Sequence, residues 1–328
     1  MNTYTILTPP GHGAIGVIRV QGKTSAECAQ RFFVSARGVS VQNTPVNRVI
    51  YGKILAEDVI LCRTAEDTLE IHCHGSPAAV RRIAKLLEDA GAREMSAEEF
   101  YVQEYPDATR RAAARMLPHA VTWRTAGILL DQMNGAVQNS PEEAERWSDV
   151  AKHLITPWKV VLTGPPNVGK SSLFNALIGF SRVLVDETAG TTRDAVREII
   201  VLDGWCFEII DTAGINPEPA DEIEKEGIRR AENFLQKADL ILHVRDARLF
   251  PQQDETCNKR CLRIWNKCDL CKTPPTCNNE DVFFVCAKWE ESIAALGEKI
   301  LRTLIPEEPP PGTAMPITHG SRERSEAQ

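Results

Sequence analysis

The chain has 328 residues, 43% of them apolar, and a formal net charge of −7. That length allows two domains with a core in each, and the acidic balance excludes a general attraction to nucleic acid, so any RNA contact would need a local basic patch. No apolar run approaches membrane-spanning length, and Met1-Asn-Thr-Tyr-Thr-Ile6 lacks the basic and apolar stretches of a secretory leader, so a cytoplasmic protein with no membrane role and ten reduced cysteines is expected.

In chain order, residues 1–103 mix strand signals at Ile15–Val20 and Thr68–His72 with a helix over Pro77–Ala90. In that helix Ala79, Ile83, Leu86 and Leu87 recur at helical spacing, and Gly91 ends it. Alternation puts His72 and His74 on one strand face with no further ligand placed, which reads as a strand end. Residues 104–157 turn helical, with breaks at Pro118 and Pro141, and form a short helical connector. The pairs Arg81-Arg82 and Arg110-Arg111 are either solvated helix faces or a local basic patch. A third segment, 158–305, carries the chemistry, and the Pro-Glu-Glu-Pro-Pro-Pro-Gly composition after Ile305 predicts a disordered tail over 306–328.

The third segment opens on an apolar run, Lys159–Thr163, followed by Gly164-Pro-Pro-Asn-Val-Gly-Lys-Ser171 and a helix-like run, Ser172–Ile178. Strand, loop and helix in that order make a phosphate cradle. Glycines let backbone N–H groups wrap phosphate oxygens, Lys170 neutralises the outer phosphates, and the Ser171 hydroxyl suits magnesium. The phosphate-binding set is Asn167, Val168, Gly169, Lys170, Ser171 and Ser172. Downstream, Trp205–Ile210 reads as a strand ending at Asp211-Thr212-Ala213-Gly214, where a carboxylate can hold magnesium through water and an amide can sense a γ-phosphate. Asn266-Lys267-Cys268-Asp269 follows the strand-like Cys261–Trp265. Asp269 can accept two N–H bonds from guanine, a donor pair that adenine lacks, which sets GTP apart from ATP. Cys286-Ala287-Lys288, after Asp281–Val285, falls where a last base-contacting loop belongs.

Between loop and carboxylate lies Asp186-Glu187-Thr188-Ala189-Gly190-Thr191-Thr192-Arg193-Asp194, whose small and hydroxylated residues suit a segment ordered by γ-phosphate and magnesium. Read without its neighbours it is a polar surface loop; its place in the motif order favours the former. Cys268-x-x-Cys271 with Cys257 or Cys277 has a zinc-like spacing, although only one such pair occurs and Cys268 fills the variable place of the guanine motif. The motifs together predict a GTP-binding domain with a mostly parallel sheet, hence an α/β fold.

Thr8–Gly22, Glu70-Ile-His-Cys-His-Gly75 and Ala97-Glu-Glu-Phe100 resemble the N-terminal domain of the MnmE/TrmE tRNA modification GTPases, and Gly164–Ser172 with Ala189–Asp194 resembles their nucleotide domain. The resemblance implies a tetrahydrofolate-binding-like α+β domain that dimerises and holds 5-formyltetrahydrofolate, with Arg19 and Glu70 at two folate-contacting positions. It implies GTP hydrolysis assisted by potassium seated between Asn167 and the loop from Asp186 to Thr191, with main-chain groups of Asp186 and Thr188 as ligands. Thr192 would join Ser171 on magnesium, and Glu224 would orient the attacking water beside the catalytic Lys170. Read from the residues alone, Asn167 is a turn former, and Glu222, Glu224 and Glu226 are a solvated helix face. The implied role is tRNA wobble-uridine modification, as a homodimer with tRNA and an MnmG-like flavoprotein as partners.

The sequence departs from the family by a shortened connector, in which Thr122–Met133 is one surviving helix, and by the absence of the second helical segment and of a terminal Cys-x-Gly-Lys. The alternative is therefore a regulatory GTPase, for example in ribosome assembly, that has lost the modification chemistry.

Overall fold

The computed structural model describes residues 1–8, 11, 13–136, 140–181, 196–212, 229, 232–251, 260–272, 277 and 279–317. The chain divides into two compact units, Met1–Pro118 and His119–Gln328. Residues 104–157, expected as one connector, are shared between them.

The first unit runs β1 (Thr3–Ile6), β2 (Ile15–Gln21), α1 (Ser25–Gln30), β3 (Phe33–Ser35), β4 (Arg48–Ile54), β5 (Glu57–Ala65), β6 (Thr68–His74), α2 (Pro77–Asp89), β7 (Arg93–Glu94), α3 (Ala97–Glu104) and α4 (Ala108–Met116). Its sheet has the order β3-β4-β5-β6-β2-β1-β7, antiparallel except where β7 joins β1. Period-two alternation decides which side is covered: along β2, Ile18 and Val20 are buried while Val17 and Arg19 are only half-buried on the other face. Ile83 and Leu87 of α2 join Ile18, Val20, Leu61 and Ile71 in one core. Ser76 caps α2 by accepting from the Ala79 N–H, and Pro77 occupies the first turn, where a missing N–H costs nothing. Arg81 and Arg82 are exposed. Arg111 donates to the Tyr105 and Pro106 carbonyls at 2.8 and 3.1 Å, so part of the second basic pair holds a turn together.

The second unit runs α5 (Trp123–Met133), α6 (Pro141–Arg146), α7 (Ser148–Lys152), β8 (Trp158–Thr163), α8 (Lys170–Ser181), β9 (Val196–Leu202), β10 (Trp205–Asp211), β11 (Leu240–Asp246), β12 (Cys261–Asn266), β13 (Val282–Val285) and α9 (Glu290–Leu304). The sheet order is β13-β12-β11-β8-β10-β9, parallel throughout except for β9 at the edge. Val160, Val161 and Leu162 are consecutively buried, the pattern of a strand covered on both faces. Pro141 opens α6 at its first turn, with Ser140 and Glu143 as a capping box, so this proline starts a helix and does not break one, α5 having ended at Met133.

The tail expectation fails for residues 306–317. Met315 and Ile317 are 3% and 7% exposed. The Gln132 amide of α5 donates to the Thr313 carbonyl at 2.8 Å and accepts from the Met315 N–H at 2.7 Å, while Asp131 accepts from the Gly312 N–H at 3.0 Å. Arg124 and Arg146 pair with Glu308 and Glu307. A proline-rich stretch has no core of its own, but it needs none when a buried amide on a neighbouring helix satisfies its backbone. Residues 318–328 lie outside the described residues.

Candidate nucleotide-binding site

The phosphate loop leaves the carboxyl end of β8, where the central strand of an open parallel sheet presents a crevice. Two of its glycines are dictated by space. Gly164 has φ +136°, and a Cβ there would stand 2.1 Å from the Val244 carbonyl oxygen; Gly169 has φ +92°, and its Cβ would stand 2.5 Å from Asn266 Nδ2. Only a residue without a Cβ lets strand ends and loop approach this closely. Asn167 is left-handed at φ 65°, as a turn former would be, with its side chain exposed on the loop.

Lys170 is 8% exposed, and its ammonium donates to the Gly164 and Pro165 carbonyls at 2.9 and 2.8 Å. Burial lowers its pKa, and the nearby Asp211 carboxylate opposes that shift. Val168 is buried, and Ser171 and Ser172 are exposed in the first turn of α8. The Ser171 hydroxyl donates to Asp211 Oδ2 at 2.8 Å. Asp211 itself is buried at the end of β10, beside Leu162 in register, and Thr212 donates its hydroxyl to the Leu162 carbonyl at 2.8 Å. A serine hydroxyl and a carboxylate meeting beside the phosphate loop form a hard oxygen donor set that fits magnesium.

The side expected to read the base is fastened to the same loop. Asn266 is 2% exposed, and its Nδ2 donates to the Val168 and Gly169 carbonyls at 3.0 and 3.4 Å, while its Oδ1 accepts from the Ala287 N–H at 3.3 Å. Lys267 sits in left-handed backbone at φ 66°, and its ammonium donates to the Asn167 carbonyl and to Asp246 Oδ2. Asp269 pairs with Lys288 at 3.0 Å, and that hydrogen bond holds its carboxyl below the usual range. Cys286 is buried, its N–H donating to Ser292 Oγ at 2.9 Å. Loop residues Asn167–Ser172, carboxylate Asp211, the Asn266–Asp269 loop and the Cys286–Lys288 loop are thus brought to one end of one sheet. The predicted residues Asp186, Glu187, Thr188, Ala189, Gly190, Thr191, Thr192, Ala213, Gly214 and Glu224 lie outside the described residues.

Residues 2–106 match the family described as GTP-binding protein TrmE N-terminus, and residues 159–271 match the 50S ribosome-binding GTPase family. The chain is 30% identical over 328 residues to the tRNA modification GTPase MnmE of Protochlamydia amoebophila, covering 81% of this chain and 71% of that one. The chain belongs to the MnmE family. Its likeness to the MnmE of Syntrophotalea carbinolica is 31% over 344 residues, covering 84% of this chain and 75% of the relative. Among solved structures it is similar to the cytosolic domain of the T. maritima FeoB iron transporter, with 25% identity over 45% of this chain and 64% of that one; the TM-score of 0.34 is too low to add to the fold.

In this MnmE-family chain the two positions matched to folate contacts already face each other. Arg19 and Glu70 are register partners across β2 and β6. Arg19 donates through Nε at 3.1 Å and Nη2 at 2.7 Å to Glu70 Oε1, lies 3.4 Å from the Glu104 carboxylate, and stands over the Phe100 ring at 5.1 Å. Glu70 Oε2 is also 3.3 Å from His72 Nε2. A folate tail on Arg19 would replace Glu70 in the arginine fork, and a pterin edge on Glu70 would replace Arg19. Among the described residues no group of His, Cys, Asp and Glu is arranged to hold a metal, and Cys257 lies outside them.

Sequence reasoning missed β11 and with it Asp246. The run Leu240–Val244 carries the signal: four apolar residues around His243 are followed, after Arg245, by an Asp aligned with Asn266 of the next strand.

Proposed function

We propose that the chain binds GTP at the carboxyl end of the second sheet and hydrolyses it, with Lys170 on the outer phosphates and Asp269 on the guanine edge. The observation that carries this reading is the convergence on one loop: Asn266 and Lys267 of the base-reading segment both donate to carbonyls of Asn167–Gly169, next to the Ser171–Asp211 pair. Base and phosphate subsites built on shared hydrogen bonds suit a nucleotide held at both ends. Magnesium would be held by Ser171 with Asp211 behind it and Thr192 joining, and when bound it supplies charge neutralisation for the departing phosphoryl group. Potassium beside Asn167, with Asp186, Thr188 and Thr191, would provide a fixed positive charge near the β–γ bridge where other GTPases use arginine. Glu224 orients the attacking water in this scheme.

GTP turnover in potassium against sodium tests it. Potassium should stimulate, Asn167→Ala should remove the preference, and Glu224→Ala should lower kcat on the order of 10²-fold. Equal rates in both salts would remove the potassium assignment, and an unchanged Glu224→Ala rate would remove that of the glutamate.

The cellular role that follows from the family is tRNA wobble-uridine modification in the cytoplasm, as a homodimer with an MnmG-like flavoprotein. Restoration of modified uridine in cells lacking the full-length enzyme is the expected outcome. The match of residues 159–271 to a ribosome-binding GTPase family favours a second reading, regulation of ribosome assembly. GTP-dependent co-purification with ribosomal particles, together with unmodified tRNA, would select it. Folate binding at Arg19 and Glu70 would exchange their mutual ion pair for contacts to the ligand.

A further inference from the structure

Asp246 ends β11 directly beside Asn266, which ends β12. Both are buried, at the sheet end that carries the phosphate loop. Asn266 reaches the loop itself, through the Val168 and Gly169 carbonyls. Asp246 reaches it through one intermediary. Its Oδ2 lies 3.2 Å from the Lys267 ammonium, and that ammonium donates to the Asn167 carbonyl. Lys267 needs an anchor, because its left-handed backbone at φ 66° is a conformation that a residue with a side chain adopts at a cost.

The same carboxylate also receives Arg248, through Nε on Oδ1 at 2.9 Å, Nη2 on Oδ2 at 2.6 Å and the backbone N–H on Oδ1 at 3.1 Å. The plain structural role is therefore a cap on the short turn Ala247–Leu249. That role explains the Oδ1 contacts. It does not explain why a second cation, just past the end of β12, shares Oδ2 while its remaining reach is spent on a phosphate-loop carbonyl. A buried carboxylate between two cations pre-orients both, and only one of them touches the nucleotide loop.

We propose that Asp246 is a positioning residue for guanine-nucleotide binding: it holds the Lys267 ammonium against the Asn167 carbonyl and so keeps the phosphate loop and the base-reading loop in register. The proposal rests on the reading of this sheet end as the GTP site, and it adds a residue that no motif names.

The test is GDP affinity in a cycle of Asp246→Asn and Lys267→Met on the full chain. Asp246→Asn should raise the GDP Kd about tenfold, the scale of one charge-assisted hydrogen bond. In the Lys267→Met background the same change should add less than about twofold, because the group through which it acts is gone. The KM for GTP should rise in Asp246→Asn while kcat stays within about twofold, since a register effect acts on binding. Asp246→Ser, which retains a capping hydroxyl for the Arg248 N–H but is too short for Lys267, should behave like Asp246→Asn and serves if the asparagine variant fails to fold. Arg248→Ala should keep its GDP affinity within about twofold. Unchanged affinity in Asp246→Asn, full additivity with Lys267→Met, or an equal loss in Arg248→Ala would overturn the proposal. Absence of GDP binding in the unsubstituted chain would instead remove the GTP-site reading itself.

Discussion

The two sheets of this protein use paired charges in opposite ways. In the first, Arg19 and Glu70 meet across neighbouring strands and are closed in by Glu104, His72 and Phe100, so the charges mostly satisfy each other. In the second, Lys170 and Asn266 donate to backbone carbonyls of one loop, and Lys267 divides its ammonium between the Asn167 carbonyl and the Asp246 carboxylate. Donors committed to backbone shape a cradle. The difference lies in what joins the parts: loop carbonyls tie the nucleotide site together, while Arg19 and Glu70 of the first sheet are joined directly to each other.

The comparison breaks most sharply at Lys170. Lys170→Ala should cost on the order of 10²–10³ in kcat, the scale of a preorganised donor on developing charge, in single-turnover assays. Next comes base selection. Asp269→Ala should reduce the preference for GTP over ATP by about 10²-fold or more, read by competition against labelled GDP, because the paired acceptor for guanine is gone. Lys288→Ala separates the ion pair from the base contact: its side chain is 76% exposed, so losing the pair with Asp269 should lower GDP affinity less than Asp269→Ala does.

Backbone architecture supplies the third test. Gly164→Ala combines a forbidden φ with a carbonyl 2.1 Å away and should destabilise the second unit by about 1–3 kcal/mol in urea titration. At Gly127, inside α5, an added Cβ meets nothing, and Gly127→Ala should stabilise by about 0.5–1 kcal/mol. A comparable loss at both positions would mean that loop geometry is not what limits Gly164. In the first sheet, Arg19→Ala should cost about 1–2 kcal/mol by leaving Glu70 half-buried with only His72, and Arg19→Lys should recover part of it.

The smallest effect is in pH. Burial pushes the Asp239 carboxyl up, but the His153 hydrogen bond and the Lys159 N–H outweigh it, and the net pKa is lowered. Asp246 is lowered by its hydrogen bond from Arg248. A depressed carboxyl contributes stability that is complete above its unfolded value of about 3.9 and fades as pH falls through the folded value. Acid titration of the second unit should therefore lose stability below about pH 4, and Asp239→Asn should flatten that slope.

Much of the nucleotide site was legible because its parts are local. Gly164–Ser171, Asp211–Gly214 and Asn266–Asp269 each carry their chemistry within a few residues, and each follows an apolar run that became β8, β10 or β12. What escaped has a different physical origin. Asp246 looks like any strand-ending acid until register sets it beside Asn266. The stretch 306–317 reads as a tail because its composition cannot make a core, yet Gln132, far away in sequence, binds its backbone at both ends of one amide. The resemblance marks Arg19 and Glu70 as ligand contacts, and strand pairing adds that they contact each other.

Sequence by itself determined the family, the order of the motifs and the conformations that glycine alone permits, since those depend on residue identity and short spacing. Tertiary structure decided which charges remain available to a ligand. That choice depends on which strands pair and in what register, and a one-residue change of register would turn every side chain to the opposite face.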